Sequence, residues 1–235
     1  MKFNKTLALL FLSSVIIFSC KKDPVATTVN QDQKYFPLQV GRSIVYTVDS
    51  IHFNDVTMTS DTTHFQLKEE ISSSFYDSAG GETFMISRYR RMNDTLNWFE
   101  TDEWSAMVNK SRAEKTEENL RFVKLIFPIA DGISWSGNQY IDTSNGLANY
   151  SGWVYRYSDV HAGKILNGLS FDSTVTVTEY DNENLIEKDL EMEVYAKNFG
   201  LVYRIQQHVS KQDVSASWNH PEKGTIVIYT VKEIH

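Results

Sequence analysis

The sequence has a single cysteine, Cys20, among its 235 residues, so no disulfide can form within the chain. Long hydrophobic runs are also missing. The longest apolar stretch without a charge, Leu7–Phe18, has 12 residues. As a helix it would cover only about 18 Å, against about 30 Å of bilayer core. We therefore interpret residues 1–19 as an export signal peptide rather than a membrane-spanning helix.

Basic residues are too few for a typical nucleic-acid-binding protein. The chain has 23 Lys and Arg against 30 Asp and Glu, which gives a formal net charge of −7. Clustered basic side chains are what bind phosphate backbones and anionic headgroups. We therefore expect no nucleic acid partner, and attachment to a membrane has to come from a feature other than surface charge.

Recognisable catalytic and metal-binding motifs are missing as well. None of the six histidines belongs to the helical i, i+4 pair of a zinc hydrolase, and Gly132–Gly137 has the wrong spacing for a nucleophile elbow. The acidic stretch Glu100–Trp104 could belong to a glycosidase, but one acidic segment does not define a cleft between two carboxyls. Asp181–Asn184 lacks the glycine and the distal glutamate of an EF-hand. We predict a protein that is not an enzyme, with no catalytic residues, no metal site and no cofactor.

The sequence does contain a distinctive ending to its apolar stretch. Residues Ile17–Cys20 (IFSC) resemble the lipobox of bacterial lipoproteins, in which the cysteine becomes linked to diacylglycerol and is the first residue after cleavage. Phe18 stands where a small residue is usual. The resemblance implies lipidation of Cys20 and contact with a membrane through that lipid. The alternative is an incidental cysteine in a signal that is cleaved elsewhere, such as after Ala26.

Residues 20–34 contain Pro24, two threonines and several amides, without apolar periodicity. We predict a flexible lipidated tether here, followed by one all-β globular domain over residues 35–235. Lys21 follows the cysteine at the position where an aspartate often marks inner-membrane retention in other bacteria. We therefore expect a cell-envelope protein anchored in the outer membrane, on either its periplasmic side or the cell surface.

From Tyr35 onward, apolar and polar residues alternate with a period of two, as in Ile44, Tyr46 and Val48. Such alternation indicates antiparallel strands with one face on a core, and the Gly-, Asn- and Asp-rich breaks indicate hairpins. We predict an all-β fold, a single antiparallel meander that closes into a barrel or a curved half-barrel. A two-sheet sandwich is the alternative. The polar segment Ser111–Asn119 is interpreted as a loop or a short helix.

A short pattern occurs twice in the chain. Phe36–Ile44 and Phe127–Trp135 both read F-P-[LI]-x-x-G-x-S followed by a large apolar residue. Proline cannot donate to a strand ladder, and glycine lets the backbone bend. We predict a similar corner in both places, each leading into a strand.

Three blocks of the sequence resemble a group of uncharacterised Bacteroidetes lipoproteins. They are Tyr35–Gly41 (YFPLQVG), Phe127-Pro128 with Gly132 and Trp135, and Tyr195–Tyr203 (YAKNFGLVY). The blocks occur in the same order over nearly the whole exported part. The resemblance implies an all-β exported domain, and it carries over no catalytic residues.

Five Asp-Ser or Asp-Thr pairs are similar to the O-glycosylation acceptors of exported Bacteroidetes proteins. The hydroxyls of possible attachment belong to Thr62, Ser78, Thr95, Ser50 and Ser173. The alternative is that these pairs start turns through side-chain to backbone hydrogen bonds. Loop positions such as Thr62 and Ser78 are better acceptors than Ser173, which is expected in a strand.

Aromatic residues are abundant, with 5 Trp, 12 Tyr and 13 Phe. A curved sheet of this size tends to enclose a concavity, and an aromatic-lined concavity suits apolar molecules or sugar faces. Our leading hypothesis is a lipoprotein with a ligand- or partner-binding β domain, whose partner is an apolar small molecule, a glycan or an envelope protein. The alternatives are an accessory subunit of a surface complex and, third, a carbohydrate-active enzyme.

Overall fold

A computed structural model describes residues 31–78, 80–144 and 146–235. The predicted signal peptide, Cys20 and most of the predicted tether lie outside these residues. The described chain is built almost entirely of strands. These are β1 (Ser43–Asn54), β2 (Thr59–Tyr76), β3 (Glu82–Arg91), β4 (Phe99–Val108), β5 (Arg112–Glu117), β6 (Leu120–Ile126), β7 (Ser134–Trp135), β8 (Tyr155–Leu166), β9 (Leu169–Glu183), β10 (Glu187–Ala196), β11 (Gly200–Ser210) and β12 (Lys223–Ile234).

The strands form one antiparallel sheet in the order β6-β5-β4-β3-β2-β1-β12-β11-β10-β9-β8-β7. The sequence therefore makes two consecutive meanders, which are joined through the pairing of β1 with β12. The predicted all-β antiparallel fold is confirmed. The alternative of a two-sheet sandwich is wrong, because all the described strands belong to a single sheet.

The two edges of the sheet, β6 and β7, approach each other and nearly close a barrel. The Val123 backbone N–H donates to the carbonyl of Gly137 at 2.8 Å, and the Trp135 indole N–H donates to the carbonyl of Val123 at 2.8 Å. Lower on the seam, the Tyr157 hydroxyl donates to the Ile126 carbonyl and accepts from the Ile126 N–H, both at 2.8 Å. Loop backbone and side chains thus satisfy the exposed edge of β6 in place of a neighbouring strand.

The hairpin connections separate two ends of the barrel. The upper end carries the β1–β2, β3–β4, β5–β6, β7–β8, β9–β10 and β11–β12 connections, and the lower end carries the others and both ends of the described chain. A 3-10 helix, Gln31–Tyr35, packs at the lower end. There the Asp32 carboxylate accepts from the Ile129 N–H at 3.0 Å, and the carbonyl of Lys34 accepts from the Asn198 N–H at 2.7 Å. The last residues of the predicted tether thus contact the folded domain.

An apolar core fills the lower part of the barrel. Its buried members include Tyr35, Phe36, Ile86, Tyr155 and Val177, which come from the 3-10 helix and from strands on both sides of the seam. The Phe36 ring lies 5.9 Å from the Tyr195 ring. Side chains therefore fill most of the barrel interior at the lower end.

The repeated sequence pattern forms two corners at the lower end, as predicted. Gly41 and Gly132 have φ angles of 89° and 78°, a conformation that favours glycine. The strands β1 and β7 begin two residues after these glycines, at Ser43 and Ser134. The two corners therefore set the start of the first strand of each meander.

The segment Ser111–Asn119, interpreted above as a loop or a short helix, is strand β5 and its turn. That interpretation is wrong because the charged residues Glu114, Lys115 and Glu117 are buried in the structure. A strand whose buried positions carry charges gives no apolar alternation to recognise.

Among the described residues, no helix has the length and apolar character needed to cross a membrane.

Candidate functional site

A cavity of about 560 Å³ opens at the upper end of the barrel. Strands from both meanders contribute side chains to it, including Arg88 of β3, Glu117 of β5, Glu179 of β9 and Arg204 of β11. The connection between β7 and β8 adds Tyr150 and Trp153. Its volume falls in the range of small-molecule sites, about 300–1,000 Å³.

Two β-bulges aim charged side chains toward this region. The register of β5 with β6 skips Lys124, and the register of β9 with β10 skips Glu179. A bulge leaves one residue unpaired and turns its neighbours relative to the sheet. Consequently both Glu179 and Tyr180 line the cavity, although adjacent residues of a regular strand point to opposite faces.

Beneath the cavity lies a central charge network formed by Glu117, Lys124, Glu179, Glu193 and Arg204. The Lys124 ammonium lies 2.9 Å from Glu179, 3.0 Å from Glu193 and 3.6 Å from Glu117. The Arg204 guanidinium lies 3.0 Å from Glu117 and 3.5 Å from Glu193. The Lys124 side chain is only 1% exposed, so these charges interact with little screening by water.

This network has three carboxylates and two cations, which leaves one excess negative charge. Burial and the nearby Glu193 carboxylate raise the pKa of Glu179 to about 8. For Glu117, burial alone would raise the pKa, but Arg204, Lys124 and Lys115 together hold it well below its ordinary value. Glu179 is therefore the carboxyl that keeps its proton at neutral pH, and it can donate a hydrogen bond.

A second ion-pair group forms the opposite wall. Arg88 lies 3.3 Å from Glu69 and 3.1 Å from Asp102, and its guanidinium stacks 3.6 Å from the centre of the Trp104 ring. The Trp104 indole N–H donates to the Glu118 carboxylate at 3.3 Å. Arg88 is thereby fixed by two carboxylates and one aromatic face.

His208 holds two carboxylates together near the mouth. Its ring nitrogens lie 3.0 Å from Asp189 and 2.8 Å from Glu191. The hydrogen bond to Glu191, aided by the bond to Asp189, raises the pKa of His208 to about 9 although partial burial opposes the shift. His208 is therefore positively charged at neutral pH.

The wall that faces the β7–β8 connection is aromatic. The Trp153 and Tyr180 rings stack at 5.2 Å with an interplanar angle of 9°, and the Tyr150 ring lies 5.2 Å from Trp153. Phe122 lies 5.8 Å from Tyr150 in an edge arrangement. The cavity thus combines a charged floor with an aromatic side.

Three buried polar atoms on the cavity residues make no hydrogen bond within the described part of the chain. They are Nε of Arg88, Nε of Arg204 and Oε1 of Glu117. Each of them lies 3.3 to 3.6 Å from an atom of opposite charge, on Glu69, on Glu193, and on Lys115 and Lys124, respectively. Ion pairing therefore compensates these atoms within the protein, although the contacts lack hydrogen-bond geometry.

The structure places the predicted glycosylation hydroxyls in different environments. Thr62 and Ser78 are exposed, but only Ser78 lies in a loop as predicted, because Thr62 is part of strand β2. Ser50 is half-buried in β1. Thr95 is exposed, and its hydroxyl donates to Asn93 at 2.6 Å. Ser173 lies in β9, where its hydroxyl is 2.7 Å from the Tyr35 hydroxyl. Glycosylation of any of them stays a prediction, and the internal hydrogen bond makes Ser173 the poorest acceptor.

Sequence reasoning missed the cavity residues. In β10 the alternation suggests that Leu190 and Met192 face the core and that Glu191 and Glu193 face water. The structure shows the reverse, because Glu191 and Glu193 are 3% and 1% exposed and contact the barrel interior.

Within the described ranges, no three His, Cys, Asp or Glu residues are grouped so that they could hold a metal ion.

Comparisons with known proteins add structural neighbours only. No protein-family model matches the sequence, and no curated protein is significantly similar to it. One similar solved structure comes from Bacteroides fragilis and is provisionally described as an exported protein with a YmcC-like fold. It shares 12% sequence identity with this chain at a TM-score of 0.46, and the alignment covers 85% of this chain and 98% of that chain. Another, from Parabacteroides distasonis and provisionally described as a lipoprotein, shares 12% identity with a TM-score of 0.43, covering 86% and 98%. At these identities and scores they assign neither a family nor a function to this chain.

Proposed function

We propose that this protein is a lipid-anchored cell-envelope protein that binds a small polar ligand in the upper cavity, without catalysing a reaction. The observation that carries the proposal is the cavity itself, which combines about 560 Å³ of space with a lining of charged, amide and aromatic side chains. The lipobox-like Ile17–Cys20 sequence supports the anchor. The lack of an aspartate after Cys20 supports the outer membrane.

The position of the cavity suits this role. The described chain starts at the lower end, in the 3-10 helix Gln31–Tyr35, whereas the cavity opens at the upper end. A lipid on Cys20 would hold the lower end toward the membrane. The mouth would then face away from the membrane, where it can meet soluble molecules or the ends of envelope polymers.

A polar ligand fits better than an apolar one. A fatty chain would have to lie against the charged Glu117 and Arg204 side chains and displace water from the polar lining, which costs free energy. The carboxylates near the cavity floor are committed to cations, as in the pairs of Arg204 with Glu117 and of Lys124 with Glu193. This commitment favours binding over nucleophilic chemistry.

The anchor can be tested by replacing Cys20 with alanine. We expect the wild-type protein to partition with detergent in phase separation and to incorporate radiolabelled palmitate, and Cys20→Ala to lose both properties. Thr28→Ala is a matched control in the predicted tether and should behave like the wild type. If Cys20→Ala still partitions with detergent and still incorporates palmitate, the lipid anchor is refuted.

Ligand binding can be tested with a variant that fills the cavity. Gln206, which lines the cavity, would be replaced by tryptophan, and the exposed Gln39 at the lower end would be replaced likewise as a control. Thermal-shift and calorimetric measurements would use neutral oligosaccharides, amino acids, polyamines and palmitate as probes. We expect at least one polar class to bind the wild type and Gln39→Trp but not Gln206→Trp. Binding of palmitate alone, or of no probe, would contradict the proposal.

A further inference from the structure

We propose, on the basis of the binding function above, that the ligand is the uncharged end of a saccharide chain, which enters the cavity end-on. Four features of the described residues lead to this class: charges that are already paired, uncharged polar side chains in the lining, an aromatic wall, and a floor that is closed.

The pairing of the charges disfavours a charged ligand. Arg88, Arg204 and His208 each contact two carboxylates, at distances between 2.8 and 3.5 Å. An anionic ligand would compete with these carboxylates, and a cationic ligand would compete with the basic side chains. Breaking a buried pair leaves an uncompensated charge, which is strongly unfavourable. A neutral ligand can bind without changing the charge balance.

The uncharged polar side chains of the cavity match hydroxyl groups. Asn149, Gln206 and Tyr229 line the cavity, and their amide and phenol groups offer both donors and acceptors. A hydroxyl both donates and accepts, so a ligand with several neighbouring hydroxyls can bond to both kinds of group.

The aromatic wall provides the apolar contact that the ring of a sugar needs. Tyr150 and Tyr180 are half-buried, and both line the cavity on either side of Trp153. Trp153 is stacked on Tyr180, so the wall is held rigid before a ligand arrives. A rigid wall lowers the ordering cost of binding.

The floor of the cavity is closed, so the cavity can accommodate only the end of a saccharide chain. Tyr46, Lys124, Glu193 and Tyr195 are each no more than 2% exposed, and the apolar core lies below them. A polymer therefore cannot pass through the barrel. Only the terminal units of a chain can enter, and the remainder has to leave through the mouth.

Glycan arrays provide the test, because the chains are fixed by one end and present the other. We expect the intact domain to bind one or more neutral glycans. Tyr180→Ala should weaken this binding about tenfold through the lost ring contact. Tyr180→Phe should preserve the binding. Tyr140→Ala, at an aromatic residue outside the cavity that is 43% exposed, is the matched control and should also preserve it. A cyclic glucan, which has no chain end, should not bind.

The outcomes distinguish this inference from the proposed function. If amino acids or polyamines bind in the cavity and neutral glycans do not, the saccharide inference is overturned while the binding function stands. Equal binding of linear and cyclic glucans overturns the inference that the saccharide chain enters the cavity by its end. Preference for chains with a terminal uronic acid overturns the inference of a neutral ligand. Glycan binding that Gln206→Trp and Tyr180→Ala leave unchanged places the site elsewhere and overturns both proposals.

Discussion

The Lys124 ammonium donates a hydrogen bond of 2.9 Å to the Glu179 carboxyl, although 55 residues separate them in the sequence. Both residues lie at β-bulges, Lys124 on the edge strand β6 and Glu179 on β9. The contact therefore joins the two meanders across the barrel interior. It holds the floor of the cavity in place.

Replacing Lys124 with methionine should destabilise the protein strongly. The change keeps the unbranched aliphatic shape of the side chain without its ammonium group, and it leaves Glu117, Glu179 and Glu193 with Arg204 as their only cation in the central charge network. Removing one partner of a buried ion pair typically costs about 3–5 kcal/mol. Urea unfolding would measure the loss. Lys188→Met, at an exposed pair with Glu183, should cost no more than about 1 kcal/mol. Equal effects of the two changes would refute a structural role for the network.

Glu179→Gln should change how stability depends on pH. The folded pKa of about 8 exceeds the ordinary 4.5, so the wild type loses stability as the pH rises from about 4.5 to about 8. Glutamine resembles the protonated carboxyl but cannot ionise, so Glu179→Gln does not lose this stability as the pH rises. We expect the stability of Glu179→Gln relative to the wild type to be higher at pH 8 than at pH 5, as measured by urea unfolding at both values. A relative stability that stays constant over this range would show that Glu179 is already ionised at pH 5.

His208→Gln should also gain stability relative to the wild type as the pH rises, but over a higher pH range. The pKa of His208 rises from 6.5 to about 9 on folding, so its contribution is fully present below pH 6.5 and is lost as the pH rises through 9. The wild type should therefore exceed His208→Gln in stability at pH 6, and the difference should vanish above about pH 10. NMR titration of the ring would report the pKa directly. His64→Gln, at an exposed pair with Asp49, is the matched control. A ring pKa near 6.5 would rule out this account.

Tyr157→Phe tests the seam of the barrel. The substitution removes the hydroxyl that satisfies both the N–H and the carbonyl of Ile126 and leaves the ring in place. Leaving such groups without partners should cost about 1–2 kcal/mol. Hydrogen exchange at the Ile126 amide should become faster. Tyr140→Phe, at an exposed ring, should change neither measurement. Unchanged exchange at Ile126 in Tyr157→Phe would mean that another group closes the seam.

Several elements of the fold could be predicted because their signals are local. The alternation of Ile44, Tyr46 and Val48 reflects the two-residue period of a strand, and β1 is found there. Gly41 and Gly132 mark the corners because few other residues tolerate their backbone conformation. Lipidation of Cys20 rests on an equally local pattern and stays a prediction.

The cavity could not be predicted because its signals are not local. Lys124 contacts Glu193 and Arg204 contacts Glu117 over separations of 69 and 87 residues. Each charge is tolerated in the interior only because the others surround it. A single strand gives no sign of these partners. The bulge at Lys124 likewise depends on its pairing with β5.

The sequence by itself determined that this protein is made of antiparallel strands and where its corners lie, and its Ile17–Cys20 segment predicts a lipid anchor. Only the tertiary structure decided which face of each strand is inside and which charges are buried together. The reason is physical. Alternation shows that the two faces of β10 differ, but the side that lies inside depends on whether distant strands supply counter-charges for Glu191 and Glu193.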